Sequence, residues 1–470
     1  MQAATHFQIL IGILPRSVST WLAAALFTIV AATVVAAGGR PMGVALLLSF
    51  ETIIWSVAAI VFGTCSNPRS RQVLLKSWTL RWWIATIVWG GVSTLFISSD
   101  PSRSGMTMAT LIGPLLLVPA IAHAPSMSYF AVRTTLQWIA AFGLGWLSIG
   151  VLFYYWPDNA YYRWMKAQTW QHGVPYSTVD YQGNAGTLIT LIGIWVAAAA
   201  LATPVASNIR PVLWLSLPLV IVAAALNASR TTLLLAPAMM LTTLVIGGSV
   251  RPNTSRSRPD SISKFRWSSV LVGTLLLTAV VGAAWLTVGG EHTAATRFRH
   301  LYEDLTWPYY PRRLEMTAAA KLVANSPITG WGPGMYATVA SQAPVIANQH
   351  FALAPPPVGY ALQADHHANS DPLELSIDWG IPGMILLLCP ALVAVKRGIG
   401  GFWEIGNERS ERMVSLATVI SLIAIGLNGI VDCPLALPAL VVIAAIMIGV
   451  QLRRKPASVR QSSIRTKNSR

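Results

Sequence analysis

Long apolar runs separated by short polar connections occupy most of this chain. Runs long enough to cross the hydrocarbon core of a bilayer, which takes about 20 residues, fall near 18–37, 42–63, 82–99, 105–124, 133–155, 185–203, 211–228, 231–249, 267–288, 379–395, 413–431 and 435–452. This pattern predicts an all-α, polytopic integral membrane protein with about 12 transmembrane helices. The first run is too long, and too poorly flanked by positive charge, for a typical cleaved signal peptide, so we keep it as a span.

One long polar segment interrupts the spans and divides the chain. We predict membrane helices 1–9 in residues 1–288, a loop segment with short helices in 289–378, helices 10–12 in 379–452 and a basic tail in 453–470. Within the loop segment, Leu314–Asn325 has the pattern of a short amphipathic helix, which ends before proline. The glycine-rich residues 330–334 then predict a tight turn.

Composition agrees with a membrane protein and argues against other classes. Charged residues make up 11% and hydrophobic residues 54% of the chain, against about 25% and 45–50% in ordinary soluble domains. The net charge of +16 comes from short loops and the tail, so it indicates topology and no nucleic-acid partner. The three cysteines have no spacing typical of a disulfide framework or a zinc site.

Lysines and arginines concentrate in alternate loops, and this pattern predicts how the chain is oriented in the membrane. The basic connections near 69–81, 251–266 and 396–412 fall on the same side as the tail if the chain has twelve spans. By the positive-inside rule that side is cytoplasmic, and both termini lie there. The segment 289–375 then faces the opposite side, where we expect any chemistry.

Three pieces of sequence resemble the O-antigen ligase and polymerase superfamily, polytopic enzymes that transfer glycans from undecaprenyl pyrophosphate on the periplasmic side. The first is Asn227-Ala228-Ser229-Arg230 at the start of a span. The second runs from Arg312-Arg313 to the Pro-x-x-Gly-x-Gly-x-Gly element at 327–334. The third is Asn369-Ser370-Asp371-Pro372-Leu373-Glu374 followed by Trp379-Gly380-Ile381-Pro382-Gly383. The order and spacing of the three pieces carry the resemblance, which is architectural over the rest of the chain.

The resemblance implies a metal-independent glycosyltransferase, without a cofactor, in the bacterial inner membrane. Its donor would be an undecaprenyl-pyrophosphate-linked glycan, and its acceptor lipid A–core for a ligase, a growing polysaccharide for a polymerase, or a protein hydroxyl for an oligosaccharyltransferase. We favour the ligase. Guanidinium groups stay charged and bind phosphate bidentately, so Arg230, Arg312 and Arg313 are the candidates that bind the pyrophosphate.

The candidate base is a histidine next to the family's usual histidine position. Counting back from Trp379 places Asn369 at that position, while His367 lies two residues earlier. Either a local shift brings His367 into the site, or the protein works without that imidazole. Asp365, Asp371 and Glu374 are possible supporting carboxylates, and a metal site built on the acidic residues near His367 is disfavoured because no helix-spaced ligand pair is present.

Two other functional classes stay open on the sequence alone. A secondary transporter or flippase would also be all-helical, but it is expected to carry ionisable groups and broken helices near the membrane midplane. A non-catalytic scaffold of a polysaccharide assembly complex would tolerate alanine at Arg230 and His367, whereas the enzyme would not.

Overall fold

The architecture is all-α in a computed structural model of the chain. It describes residues 20–35, 42–65, 68–123, 129–156, 179, 182–203, 207–227, 229–249, 311–340, 367–404 and 408–453. No β-strand occurs in these ranges. The fold class predicted from the apolar runs, a polytopic all-α membrane protein, is therefore confirmed.

Fourteen α-helices follow one another along the described part of the chain. They are α1 (Thr20–Val35), α2 (Met42–Cys65), α3 (Pro68–Leu75), α4 (Trp78–Phe96), α5 (Pro101–His123), α6 (Tyr129–Tyr155), α7 (Gln182–Ala202), α8 (Ile209–Leu226), α9 (Arg230–Ser249), α10 (Pro311–Asn325), α11 (Tyr336–Val339), α12 (Asp371–Trp403), α13 (Arg409–Val431) and α14 (Pro438–Leu452). A short 3-10 helix, Pro434–Ala436, lies between the last two.

Each predicted span that the structure describes falls on one of these helices. Most ends differ by a few residues, but α12 extends eight residues beyond each end of the predicted span 379–395. Seven described helices are both long and apolar enough to cross a membrane, and three further apolar helices are shorter. The predicted span 267–288 lies outside the described residues, so the number twelve stays a prediction, as does the division of the chain into four parts.

The bundle is centred on α7 and α13. The most apolar stretch of α7 is 89% buried and that of α13 is 72% buried, whereas the corresponding stretch of α2 is only 39% buried. Small residues explain the central position of α7: its second half contains the run Ala197–Ala200, which lets neighbouring backbones approach closely, as is typical of helix packing in membranes. α8, α9 and α13 pack around it.

The polar segment adds a second, smaller apolar cluster at one end of the bundle. α10 ends at Asn325, before Pro327, as the sequence predicted, and it packs on α12. Its buried side chains meet those of α11 and α12 in a cluster separate from the main core: Ala319, Leu322, Tyr336, Val339, Ala340, Ala368 and Ile377. This cluster fixes α10 and the start of α12 relative to each other, and these two elements carry most of the candidate site.

Candidate active site

The polar residues of interest gather where α13 ends and α12 begins, which we call the loop end of the bundle. The N–H of Asp371, the first residue of α12, donates to the carbonyl oxygen of Asp432 at 3.2 Å. Arg312 of α10 reaches the same place, because its Nη1 donates to the carbonyl oxygen of Val431 at 2.8 Å. α10, α12 and α13 therefore meet at one point.

α12 is broken at Gly380, whose backbone has φ 69° and ψ 167°. Pro382 accounts for the break: it has no N–H to donate to the carbonyl of Asp378, so a continuous helix would leave that oxygen unpaired. A positive φ with this ψ is open only to glycine, and a Cβ at position 380 would lie 2.0 Å from the carbonyl oxygen of Ile328. The break separates a short first part, residues 371–379, from a long second part.

The glycine-rich turn covers this break. Residues 327–336 pair with residues 377–381, and we call this pairing the clasp. Two amides of the turn donate to carbonyls released by the break: Trp331 to Ile377 at 2.7 Å and Gly332 to Asp378 at 3.0 Å. The turn thus supplies the hydrogen bonds that the interrupted helix cannot make for itself.

Two further contacts hold the break, one within the clasp and one from α4. The N–H of Ile381 donates back to the carbonyl of Pro327 at 2.8 Å. The carbonyl of Trp379 accepts from the indole Nε1 of Trp89, on α4, at 2.9 Å. The first part of α12 is therefore fixed against both the polar segment and the membrane helices.

The carboxylate of Asp378 lies on the inner side of the same turn. Asp378 is 7% exposed, and its Oδ2 and Oδ1 accept the backbone N–H groups of Gly334 and Tyr336, each at 2.8 Å. Hydrogen bonds between a carboxylate and backbone amides are charge-assisted and strong. The sequence reasoning did not single out this residue.

His367 lies just before α12 and contacts Glu374 on the first part of that helix. Its Nδ1 is 3.0 Å from Oε1 of Glu374, and Oε2 of the same carboxylate accepts the N–H of Ala368 at 3.1 Å. Because an ionised carboxylate only accepts, this contact favours the tautomer with the proton on Nδ1, so that Nε2 is the basic nitrogen. Of the three carboxylates predicted as possible support, Glu374 is the one that contacts His367 among the described residues.

Asn369 occupies a different position from His367. It is 5% exposed, has a left-handed φ of 49°, and donates through Nδ2 to Oε2 of Glu315 on α10 at 2.6 Å. Residues 367–369 are therefore held by two glutamates: Glu374 on the imidazole side and Glu315 on the amide side. Glu315 was also missed from the sequence.

The carboxylate of Asp371 accepts a hydrogen bond from the connection between α13 and α14. Its Oδ2 accepts the N–H of Leu435, in the 3-10 helix, at 3.2 Å. A second aspartate at the loop end, Asp432, is 1% exposed and accepts the N–H of Cys433 through Oδ1 at 2.9 Å. Asp371 thus anchors the start of α12 to the connection between α13 and α14, and the carboxylate that contacts His367 is Glu374.

The arginines are distributed over two helices. Arg312 lies on α10 beside the end of α13, as described above, and Arg230 is the first residue of α9 and is partly buried. The side chain of Arg313 and all of Asp365 lie outside the described residues. The start of α9 belongs to the loop end because Thr232 lies beside Gly186 near the start of α7, and Thr187 accepts a hydrogen bond from Asn428, near the end of α13.

One known protein family matches the segment that carries most of this site. Residues 211–388 match the family model of the O-antigen ligase. The resemblance seen in the sequence is confirmed. The matched segment contains Arg230, both arginines of α10, His367 and Asn369, and it ends within α12. No match was found among curated proteins.

The match over residues 211–388 supports a general function of the O-antigen ligase or polymerase type. It implies transfer of a glycan, of the ligase or polymerase type, with lipid-linked glycans and lipid A–core or polysaccharide as the class of substrates. The membrane helices α13 and α14 lie beyond the matched segment, although α13 contributes contacts to the loop end.

The residues that sequence reasoning missed have one property in common. Glu315, Asp378 and Trp89 act through partners 54, 42–44 and 290 residues away in the chain. One signal was available for Asp378: an acidic residue four positions after Glu374 on one helix falls on the same face. For Trp89 the sequence offers no signal beyond the two prolines of α12.

Proposed function

We propose that this protein is an O-antigen ligase of the bacterial inner membrane, which joins a glycan from an undecaprenyl-pyrophosphate donor to a hydroxyl of lipid A–core. The observation that carries the proposal is the His367–Glu374 pair beside α10, at the end of a bundle whose segment 211–388 matches the O-antigen ligase family. The pair provides an imidazole oriented by a carboxylate, and Arg312 lies on α10 at the same end of the bundle.

The proposed reaction is a displacement at the anomeric carbon of the donor. The acceptor oxygen forms a bond to that carbon while the bond from the carbon to the pyrophosphate oxygen breaks. The acceptor proton passes to Nε2 of His367, whose developing positive charge is stabilised by Glu374. Undecaprenyl pyrophosphate leaves with the electron pair, so no water or nucleotide is consumed.

Arginines neutralise the leaving group in this proposal. Arg230 and Arg312 lie at the loop end, and Arg313 is adjacent to Arg312 in the sequence. Guanidinium is permanently charged and matches phosphate oxygens bidentately, so the leaving group needs no divalent cation. We therefore expect transfer to persist in EDTA.

The acceptor distinguishes the proposal from its nearest alternatives. A polymerase would add the glycan to a growing polysaccharide, and a protein oligosaccharyltransferase to a protein hydroxyl, with the same donor chemistry. The position held by Asn369, where the family usually carries histidine, weakens the preference for a ligase over a polymerase. The family match supports transfer of the ligase or polymerase type, and the lipid A–core acceptor is our proposal within that type.

Glycan transfer in liposomes tests the proposal. The purified protein is given an undecaprenyl-pyrophosphate-linked oligosaccharide, with and without lipid A–core, and wild type is compared with Arg230→Ala, His367→Ala and Asn369→Ala. We expect single additions to lipid A–core, with kcat reduced roughly 100-fold or more in His367→Ala, the range for loss of a general base. Asn369→Ala, which keeps the imidazole, should retain more activity than His367→Ala.

Each alternative predicts a different result. A ladder of products formed from the donor alone would indicate a polymerase. Full activity of His367→Ala would remove His367 from the role of base and leave a mechanism without imidazole. Absence of transfer with every donor, together with donor movement across the bilayer, would indicate a transporter or flippase instead.

A further inference from the structure

The clasp contains a glycine-rich turn, an arrangement in which backbone amides often bind phosphate. The amides of this turn are already occupied. Those of Trp331 and Gly332 donate to carbonyls of α12, and those of Gly330 and Met335 donate within the turn, to Ser326 and Gly332, each at 3.1 Å.

The remaining two amides converge on a single anion. Gly334 and Tyr336 donate to the two oxygens of Asp378, and position 333 is a proline with no N–H. Every amide from residue 330 to residue 336 therefore has a partner within the protein. The carboxylate of Asp378 fills the place that a phosphate would take in an anion-binding turn.

We propose that Asp378 is a positioning residue of the transferase: it fixes the glycine-rich turn onto the first part of α12 and thereby holds the Glu374–His367 pair in its working place. The inference rests on the proposed function for the reaction that it serves. It also states that this turn does not bind the donor pyrophosphate, which is left to the arginines.

Helix geometry explains why Asp378 can act on that pair. Glu374 and Asp378 are four residues apart, one turn, on the same face of residues 371–379. That short helix is anchored at its start by Asp371, bonded to Leu435, and at its end by the clasp. Loss of the Asp378 carboxylate removes two of the hydrogen bonds that hold the end of this nine-residue helix to the turn, so Glu374 shifts relative to α10.

The turn is also packed between other elements. The effect of losing the Asp378 carboxylate is therefore expected to be confined to this part of the fold. A Cβ at Gly332 would lie 2.7 Å from Cβ of Ser98, and one at Gly334 would lie 2.1 Å from Oγ1 of Thr107. The turn thus has α12 on one side and the ends of α4 and α5 on the other. Asp378 joins these two sides through the amides of Gly334 and Tyr336.

Three variants of the full-length protein in liposomes test the inference. Asp378→Asn keeps the shape of the side chain but removes the charge and one acceptor oxygen. Asp378→Glu restores the carboxylate one methylene further out. Asp100→Asn is the matched control, because Asp100 also accepts a backbone N–H, that of Arg103 at 3.0 Å, at the start of α5, where asparagine caps a helix equally well.

Two independent readouts are needed. Hydrogen exchange followed by mass spectrometry reports the amides of residues 331–336 without reference to activity. We expect exchange there to be at least 10-fold faster in Asp378→Asn than in wild type and in Asp100→Asn. In the transfer assay we expect kcat of Asp378→Asn to fall at least 10-fold with the KM for the donor within about 3-fold, and Asp378→Glu to regain part of kcat.

The outcomes separate the inference from the proposed function. Unchanged exchange at residues 331–336 in Asp378→Asn would overturn the role of Asp378 in the clasp. Faster exchange with unchanged kcat, or a donor KM raised with kcat intact, would overturn the positioning role. An inactive wild type would overturn the proposed function alone, because the exchange rates would still decide whether Asp378 holds the turn. If Asp378→Asn does not fold, Asp378→Glu gives the same two readouts.

Discussion

At the scale of single residues, Asn369 carries an unusual backbone and a short side-chain bond together. Its φ of 49° is in the left-handed region, which costs most side chains about 1–2 kcal/mol but is tolerated by asparagine and glycine. Its amide donates to the carboxylate of Glu315 at 2.6 Å. Asparagine therefore suits this turn both by tolerating its backbone and by donating to Glu315, and the turn presents His367 to Glu374.

Glycine and alanine at position 369 separate these contributions. Both variants lose the bond to Glu315, worth about 1.5–3 kcal/mol for a charged acceptor, but only alanine also has the cost of the left-handed backbone. We expect thermal unfolding in detergent to begin at a lower temperature in both variants than in wild type, and Asn369→Ala to be the less stable of the two. Equal stability of the two variants would show that the backbone conformation relaxes without cost.

Some of these residue contacts follow from the sequence and others do not. The closeness of His367 to a carboxylate was predictable, because Asp365, Asp371 and Glu374 all lie within seven residues of it in the sequence. The choice among Asp365, Asp371 and Glu374 was not predictable, since it depends on where α12 begins and on Leu435 taking the Asp371 carboxylate. The pairing of Asn369 with Glu315 depends on how α10 packs on α12, which no local pattern specifies.

At the scale of helices, α4 supports α12 through two indoles that lie two turns apart. Trp89 donates to the carbonyl of Trp379 at the break, and Trp82 donates to the carbonyl of Leu386 at 2.6 Å. The second bond has the same cause as the break: Pro390 lies four residues after Leu386 and has no N–H to donate. α4 thus satisfies the oxygens that helix breakers in α12 leave unpaired.

A double-mutant cycle at Trp82 and Pro390 tests this account. Trp82→Phe alone should lower stability by about 1–3 kcal/mol, because the partly buried carbonyl of Leu386 loses its donor. Pro390→Ala restores an N–H at position 390, so Trp82→Phe should cost markedly less in that background. Thermal unfolding in detergent measures both steps, and Trp138→Phe, at a side chain that is 60% exposed, is the neutral control. Equal costs in both backgrounds would contradict the account.

The break itself makes a second prediction for α12. Gly380→Ala should destabilise the protein by about 1–3 kcal/mol, since its φ and ψ are closed to other residues and the added Cβ meets the carbonyl of Ile328. Gly400→Ala on the same helix is the matched control, because a Cβ there has nothing within 4 Å. We expect it to be neutral or to stabilise by about 0.5–1 kcal/mol. A similar melting temperature for the two variants would mean that the break is not required.

At the scale of the whole molecule, the order of helices and their ends followed from the apolar runs, while the arrangement at the loop end did not. A count of twelve spans and the distribution of basic residues together predict that α10 lies on the periplasmic side of the membrane and α3 on the cytoplasmic side. Helix ends could be predicted because hydropathy is local. Packing of the polar segment could not, because it rests on contacts between residues far apart in the chain, such as Arg312 and the end of α13.

Cysteine labelling tests the orientation. In a background without native cysteines, Lys321→Cys on α10 and Gln72→Cys on α3 place thiols at two exposed positions. A maleimide that cannot cross membranes should label position 321 once the outer membrane is opened, and position 72 only after the inner membrane is permeabilised. The reverse pattern would show that the positive-inside assignment is inverted.

The bonds between α4 and α12 also bear on how the protein is made. They join residues 290 and 304 positions apart, so α4 is synthesised on the order of 15–60 s before its partner at about 5–20 residues per second. During that interval the indoles of Trp82 and Trp89 have no α12 carbonyls to bind, and the glycine-rich turn has no break to cover. The loop end also uses Val431, Asp432 and Leu435, so it can be assembled only after the ribosome has passed both α12 and α13.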